Sequence, residues 1–399
     1  MAQQDMAQQD MDIAVIGAGP VGGALALALA ARGRRVLLVD RADLAPMEDP
    51  AFDGRAYAVA AGCQDILRLA GIWDTLPYAP CPILDIDVTD GKVGRRPSGL
   101  KLHFDHRAVG DAFGWIIEAR SIRVAINKGL HEAERILLRA PATAFVTRDA
   151  DGADVQVGAE HFRVKLVVAA EGRRSALREQ AGIRVTKLPY NQSAVIFALA
   201  HEKPHEGVAL EHFLPGGPFA VLPMTGTAEH PNLSAVVFTE RDTLARRLYG
   251  MEEAAFMREV EVRLCGRLGT VAQVGRRWTH RLEAMYAHKY FAERLVLVGD
   301  AAHGVHPIAG QGLNLGFQDV AALVEILEGA EDVGTPAVLE RYQAARRPVN
   351  MAMLLGMDTL DRLFSTNFAP VRLVRDLGLA AVDRMPRLKK RFMLTAMGR

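Results

Sequence analysis

The stretch from Asp12 to Asp40 constrains this chain more than any other. Residues 12–16, DIAVI, are a short apolar run of strand type. Gly17-Ala18-Gly19-Pro20-Val21-Gly22 follows at once, then a helical pattern through Arg32 that ends at Gly33, a natural C-cap. A second apolar run, Val36 to Val39, ends at Asp40, with Arg41 behind it. Strand, glycine turn, helix, strand and acid in this order suit a dinucleotide. Gly17 allows the tight turn and Gly19 lets the backbone approach a pyrophosphate at the helix N-terminus. Gly22 lets helix and strand pack closely. Asp40 lies 23 positions after Gly17, where the ribose hydroxyls of an adenosine fall. The motif does not choose between NAD and FAD.

Composition narrows the class. A chain of 399 residues suggests about two or three domains. With 48 basic against 47 acidic residues it has no nucleic-acid footprint and no acidic tail. Cys63, Cys81 and Cys265 are odd in number and far apart, and no CxxC occurs. A disulfide framework or zinc site is therefore not expected, and a reducing, cytoplasmic compartment is. There is no HExxH, P-loop or GxSxG. Residues 85–91, DIDVTDG, have acids off calcium-loop spacing and no closing Glu, so they read as a strand ending in an Asp-Gly turn. The uncharged stretch from Val15 to Ala31 lacks a preceding basic residue and is broken by GAGPVGG, unlike a signal peptide. It is also shorter than the ~20 residues of a spanning helix. Residues 1–10 read MAQQD twice and are expected to be disordered.

A second cofactor strand, RLVLV, runs from Arg294 to Val298 and ends in Gly299-Asp300-Ala301-Ala302-His303. His306-Pro307-Ile308-Ala309-Gly310-Gln311-Gly312-Leu313-Asn314 follows, then a helix from about Leu315. Half a site at each end of the chain fits a long cofactor such as FAD. These segments resemble the flavoprotein aromatic hydroxylases, single-component FAD monooxygenases of the para-hydroxybenzoate hydroxylase fold. GDAAH is similar to that family's GD motif, whose Asp contacts the ribityl chain. Residues 170–178, AEGRRSALR, resemble its DGxxSxxR motif, with Glu171 in place of the Asp. Within the family the likeness is closer to the ubiquinone-biosynthesis hydroxylases. It runs through DGRAYAVAAG (53–62), residues 190–223, residues 299–319 and the tail, nearly everything from Met11 onward. His212 stands where an Arg is common.

The resemblance implies an α/β fold with a discontinuous, Rossmann-like FAD-binding domain over 11–75, 106–185 and 285–330. A β-sheet substrate domain over 76–105 and 186–284 would roof the flavin, and 331–399 would be a C-terminal helical region. The runs SAVIFALA, GPFAVLP and LSAVVFT, separated by Gly and Pro, read as its strands. The resemblance sets Arg55 beside the flavin, against a bland surface turn. It sets Arg120 there too, at the start of a helix, against an exposed helical Arg. Pro307 would lie against the ring face where oxygen reacts, with His306 near it. Gly310, Gln311 and Gly312, followed by Leu313 and Asn314, would aim backbone N–H groups and a helix dipole at the flavin pyrimidine edge. His303 and His306 read as flavin neighbours or loop packing, not metal ligands. Trp73, Trp115 and Trp278 read as core.

The implied activity is hydroxylation of the aromatic ring of a polyprenylated phenol in ubiquinone biosynthesis, with FAD as cofactor and NAD(P)H and O2 as co-substrates. The flavin carries the chemistry, and the protein must bind, orient and exclude water; no acid or base is assigned. Two other readings stay open. A hydroxylase of a small soluble aromatic would have a small closed polar pocket, and a non-catalytic flavoprotein scaffold would not oxidise NAD(P)H. Partners would include a ubiquinone-biosynthesis protein complex and the inner membrane, met peripherally. Arg384 to Arg399 carries six basic residues and no acidic one, and a helix after Pro386 would set Leu388 and Phe392 on one face. That tail either lies on anionic lipid, packs on the FAD domain or binds a partner.

Overall fold

The computed structural model describes residues 9–45, 52–95, 101–305, 310–364 and 383–399. His306, Pro307 and most of the MAQQD repeat lie outside the described residues. Gln9–Asp10, assigned above to a disordered terminus, instead pairs in parallel with Phe162 and Arg163.

The apolar runs build a six-stranded sheet in the order Phe291–Ala292, Leu295–Leu297, Leu166–Ala169, Ile13–Ile16, Val36–Val39 and Ile136–Arg139. The last five strands run parallel. The four from Leu295–Leu297 to Val36–Val39 are buried at every position, which is why they read as unbroken apolar runs. The helices Pro20–Ala31, Ala119–Glu132 and Gln311–Leu327 share one hydrophobic core with this sheet. A Cβ on Gly23 would sit 2.5 Å from Ile126 Cγ2, so glycine sets how closely the first two helices approach. The antiparallel strands Ala144–Arg148, Ala153–Val157 and Glu160–Val164 add Val146, Val155 and Phe162 to that core.

The second sheet has eight strands: His303–Gly304, Val271–Ala287, Val185–His201, Leu233–Arg241, Gly217–Met224, Val208–Leu214, Asp85–Asp90 and Leu102–Asp105. It holds the three runs predicted as strands. Val208–Leu214 and Asp85–Asp90 pair in parallel; the other neighbours are antiparallel. One face carries Phe197, Leu210, Phe219 and Phe238 and packs on the helices Asp242–Gly250 and Glu253–Leu264. The opposite, inner face carries Ala209, Leu222, Ala235 and Val274 and meets Ala56, Ala58, Ala61 and Ile116. Those residues come from or adjoin a small antiparallel sheet of Ala56–Ala60, Gly114–Glu118 and Cys81–Ile83.

Among the described residues, the helices Pro336–Phe364 and Pro386–Ala396 close the C-terminal region. The second docks by Met393 and Met397, one turn apart and both buried in the inner-face core. Gly62 N–H donates to the Met397 carbonyl at 2.7 Å, and Arg399 pairs with Asp111 at 2.8 Å. The tail thus packs on the fold, while Phe392 stays 48% exposed beside the exposed Arg387, Lys390 and Arg391. Among the described residues, no helix is long and apolar enough to cross a membrane.

Candidate active site

The first glycine turn has the geometry of an anion cradle. Gly17 adopts φ +108°, and a Cβ there would lie 2.5 Å from the Ala170 carbonyl oxygen, so no other residue fits the turn. A Cβ on Gly22 would lie 1.9 Å from the Gly17 oxygen, so helix and turn touch through backbone. Gly19 is different: a Cβ there would meet nothing within 4 Å. Its backbone faces open space at the start of the Pro20–Ala31 helix. No side chain caps that N-terminus, and Pro20 takes a position that needs no donor. The first-turn amides, Val21 among them, are left for an anion, and a pyrophosphate fits.

Asp40 ends the second strand as the sequence predicts. Its carboxylate accepts from Ala18 N–H at 2.6 Å and from Ala42 N–H at 2.7 Å, which fixes it beside the glycine turn. Arg41 points into solvent. The two later motifs close on this turn. Gly17 backs on Ala170 and Glu171, while Val21 fills the space that Cβ atoms on Gly299 and Gly316 would need. Arg173 donates to Asp300 at 3.1 Å, so the middle motif grips the GD motif. The buried Arg178 spans both loops, donating to the Ala301 carbonyl at 3.0 Å and the Arg173 carbonyl at 2.9 Å. Glu171 accepts from Ser175 Oγ at 2.6 Å and Leu177 N–H at 3.2 Å. Where an Asp was expected, this Glu organises the turn into the helix Ala176–Gln180. Asp300 remains half-exposed, with lone pairs beyond the Arg173 contact.

Arg55 is held in place. It donates to Asp53 Oδ2 from Nη2 at 2.6 Å, and its guanidinium lies 4.1 Å from the Trp278 ring centre. Burial pushes the Asp53 carboxyl upward, but hydrogen bonds and charge from Arg55, with Arg123 adding to them, outweigh it and hold the pKa low. Arg120 starts the helix Ala119–Glu132 as predicted and is buried, not exposed. It pairs with Glu118 at 2.6 Å and covers the Tyr78 ring at 4.0 Å. Trp278 is only partly buried, between Arg55 and Arg276, and donates to the Asp53 carbonyl.

Gly310, in the left-handed region at φ +64°, caps the helix Gln311–Leu327, so that helix begins four residues earlier than its apolar pattern suggested. Its unpaired first-turn N–H groups come from Gln311, Gly312 and Leu313. Gly312 has room beside it, its Cβ position being 3.8 Å from Val305. The Asn314 amide is spent on the neighbouring strand: it accepts from Ala60 N–H at 2.9 Å and donates to the Ala58 carbonyl at 3.0 Å. Gln311 reaches the Ala396 carbonyl at 3.4 Å, which ties the C-terminal helix to the site.

Sequence reasoning missed the anchor beneath these loops. Asp319, with no exposed surface, accepts from Gly299 N–H at 3.0 Å and Arg346 Nε at 2.8 Å. Asn350 Nδ2 donates to it at 3.1 Å, and His303 Nε2 lies 2.5 Å away. His303 is thus a packing residue of the GD loop. At the far edge of the large sheet, Asp85 and Asp105 each set a carboxylate oxygen 3.7 Å from His106 Nδ1. Nothing in the sequence spacing announces the Asp319 network, because its partners come from separate segments.

Two tests follow from this geometry. Gly19→Val puts a branched side chain into the open cradle, so the purified variant is expected to be folded by circular dichroism yet to lack flavin absorbance that FAD addition restores in the wild type. Asp319→Ala leaves the buried Arg346 guanidinium without its counter-charge, which costs about 3–5 kcal/mol. Burial alone would raise the Asp319 pKa, but the His303 and Arg346 interactions hold it at about 2. A depressed folded-state pKa contributes stability above the unfolded value of ~3.9 that is lost as pH falls toward 2. Denaturant titrations at pH 7 and pH 3 check both: the variant's deficit should be large at pH 7 and smaller at pH 3.

Comparison with known proteins completes the site. The FAD binding domain family matches residues 10–356. The ubiquinone hydroxylase UbiL of Rhodospirillum rubrum is 44% identical over 393 residues, covering 97% of this chain and 89% of that protein. The 3-demethoxyubiquinol 3-hydroxylase of Escherichia coli is 33% identical over 98% of this chain and all of its own length. Among solved structures, p-nitrophenol 4-monooxygenase PnpA from Pseudomonas putida shares the fold with a TM-score of 0.74 at 20% identity, over 98% of this chain and 99% of that one. The glycine cradle, the GD loop and the Gly310-capped helix thus stand in a family match that spans most of the sequence, and the chain belongs to the FAD binding domain family.

Proposed function

We propose that this chain is an FAD-dependent monooxygenase that hydroxylates the aromatic ring of a polyprenylated phenol on the route to ubiquinone. The observation that carries this reading is the 44% identity to a ubiquinone hydroxylase across nearly the whole chain. One oxygen atom of O2 enters a ring C–H bond, the other leaves as water, and NAD(P)H supplies the two electrons. Bound FAD provides that redox chemistry. The chain's own residues hold and shield it. The Gly19 cradle and Asp40 receive the adenosine half, Asp300 the ribityl chain, and the amides of Gln311, Gly312 and Leu313 the ring edge. Arg55 and Arg120 stand beside these groups. The inner face of the large sheet supports an apolar substrate, because Ile196 and Val237 on it are partly exposed and stand outside the core that takes up Ile86 and Leu222.

A polyprenyl substrate resides in lipid, so the enzyme must reach the bilayer. In our reading the enzyme is cytoplasmic and meets the inner membrane peripherally through the helix Pro386–Ala396. Its buried Met393 face anchors the helix, and its outer face joins Phe392 to Arg387, Lys390 and Arg391. Each basic residue near an anionic surface contributes about 1 kcal/mol. A ubiquinone-biosynthesis protein complex is the competing route.

A deletion strain should accumulate a ubiquinone precursor that lacks one ring hydroxyl, identified by mass spectrometry, and Gly19→Val should fail to complement it; an unchanged quinone profile contradicts the assignment. Charge reversal of Arg387, Lys390 and Arg391 to Glu, with Phe392→Ser, should abolish flotation with phosphatidylglycerol vesicles while FAD stays bound. Equal flotation of both proteins, or none by either, assigns access to a partner instead.

A further inference from the structure

Glu211 occupies an unusual place for a carboxyl group. It lies in the strand Val208–Leu214 and is 8% exposed. Side chains alternate along a strand, so Glu211 shares a face with Ala209, while Leu210 and Leu214 point the other way. Leu210 and Leu214 pack on the outer helices, and Ala209 packs on the inner-face core with Ala61, Ile116 and Met393. Glu211 therefore faces inward, toward the FAD-binding half. Among the described residues nothing hydrogen-bonds to it or pairs with its charge. A buried carboxyl left without partners costs several kcal/mol, so its retention calls for an occupant that the protein alone does not provide.

The strand register gives that occupant a shape. Directly opposite pairs place Val88, Glu211, Ala220, Val237, Ile196 and Trp278 in one row across the inner face. Val88, Val237, Ile196 and Trp278 are all partly exposed, although the outer face of the same strands is tightly packed. Val88 packs against Phe213 and Phe364 at one end and Trp278 lies between Arg55 and Arg276 at the other, so the partly exposed middle of the row is Val237 and Ile196, with Glu211 as the row's one acid. Its far end is Trp278, beneath the Arg55 guanidinium. From Glu211 to Trp278 the row crosses four strand spacings, about 19 Å, room for an aromatic ring and part of an apolar tail.

We propose that Glu211 receives the phenolic hydroxyl of the substrate and acts as its base while the ring lies on this apolar row. The proposal rests on the hydroxylase reading above and names the substrate-recognising group within it. The phenol O–H breaks toward a Glu211 oxygen, and the electron pair stays on the phenolate, enriching the ring carbons ortho and para to it. After oxygen transfer the ring carbon loses its own proton to water. The aromatic phenolate regained in this way takes the stored proton back, so Glu211 ends as it began. Burial is the one influence on the carboxyl and pushes its pKa up to about 7, which suits a proton acceptor working near neutral pH.

The test uses FAD-loaded wild type, Glu211→Gln and Glu211→Leu, with ortho-geranylphenol and its methyl ether as probes. Binding is read from the flavin difference spectrum and turnover from product formed. Wild type should bind the phenol about tenfold more tightly than the ether, and Glu211→Leu should lose that preference. Glu211→Gln should bind the phenol within a few-fold of wild type but hydroxylate it about 100-fold more slowly, with FAD content and flavin reduction by NAD(P)H unchanged. Retained preference in the Leu variant, or full turnover in the Gln variant, overturns the proposal. If wild type shows the Glu211-dependent preference yet forms no product from any prenylphenol, the recognition role holds and the hydroxylase reading falls.

Discussion

Asp319 is a charge without exposed surface, and its hydrogen-bond partners come from two other stretches of chain. Burial works against the carboxylate; His303 and Arg346 more than offset it. Gly299 and His303 belong to the end of the cofactor strand, Asp319 to the helix capped by Gly310, and Arg346 and Asn350 to the long helix Pro336–Phe364. One carboxylate thus fixes where the GD loop stands relative to the helix that Gly310 caps. Replacing such a network by apolar groups can be neutral for stability, but it would free these elements from one another. Two halves of a long cofactor need them fixed.

The two faces of the large sheet are packed differently. The outer face is filled by Phe197, Phe219, Phe238 and Phe256 in edge and tilted ring contacts. The inner face bears small residues, among them Ala198, Ala209, Ala220 and Ala235, with Met224 and Leu233 buried at one margin and Ile196 and Val237 partly exposed. Met393 and Met397 pack on this wall of small side chains at one margin. Shape here comes from residue size, and polarity from the one acid in the Glu211 row.

Much of the cofactor half was legible because its logic is local. Gly17, Gly19, Gly22 and Asp40 sit within one strand–helix–strand unit, so their spacing alone states the turn, the open approach and the close packing seen in the fold. Arg120 at the head of its helix was readable in the same way, though its burial between Glu118 and Tyr78 was not. The Asp319 network was invisible because Arg346 and Asn350 lie on another helix, 27 and 31 positions away. Glu211 was invisible because the side it faces depends on sheet register. The tail shows the limit most plainly: periodicity aligned Leu388 with Phe392, whereas docking uses Met393 and Met397, the side that meets Gly62 and the inner-face core.

In the proposed reaction this frame directs oxygen from O2 onto the ring of a prenylated phenol. The most direct measurement supplies the purified, FAD-loaded protein with NAD(P)H, ortho-geranylphenol and isotopically heavy O2, then weighs the product by mass spectrometry. One heavy oxygen atom should appear in a new ring hydroxyl, formed in step with NAD(P)H consumed. Oxidation of NAD(P)H that yields hydrogen peroxide and leaves every prenylphenol offered unlabelled would contradict it.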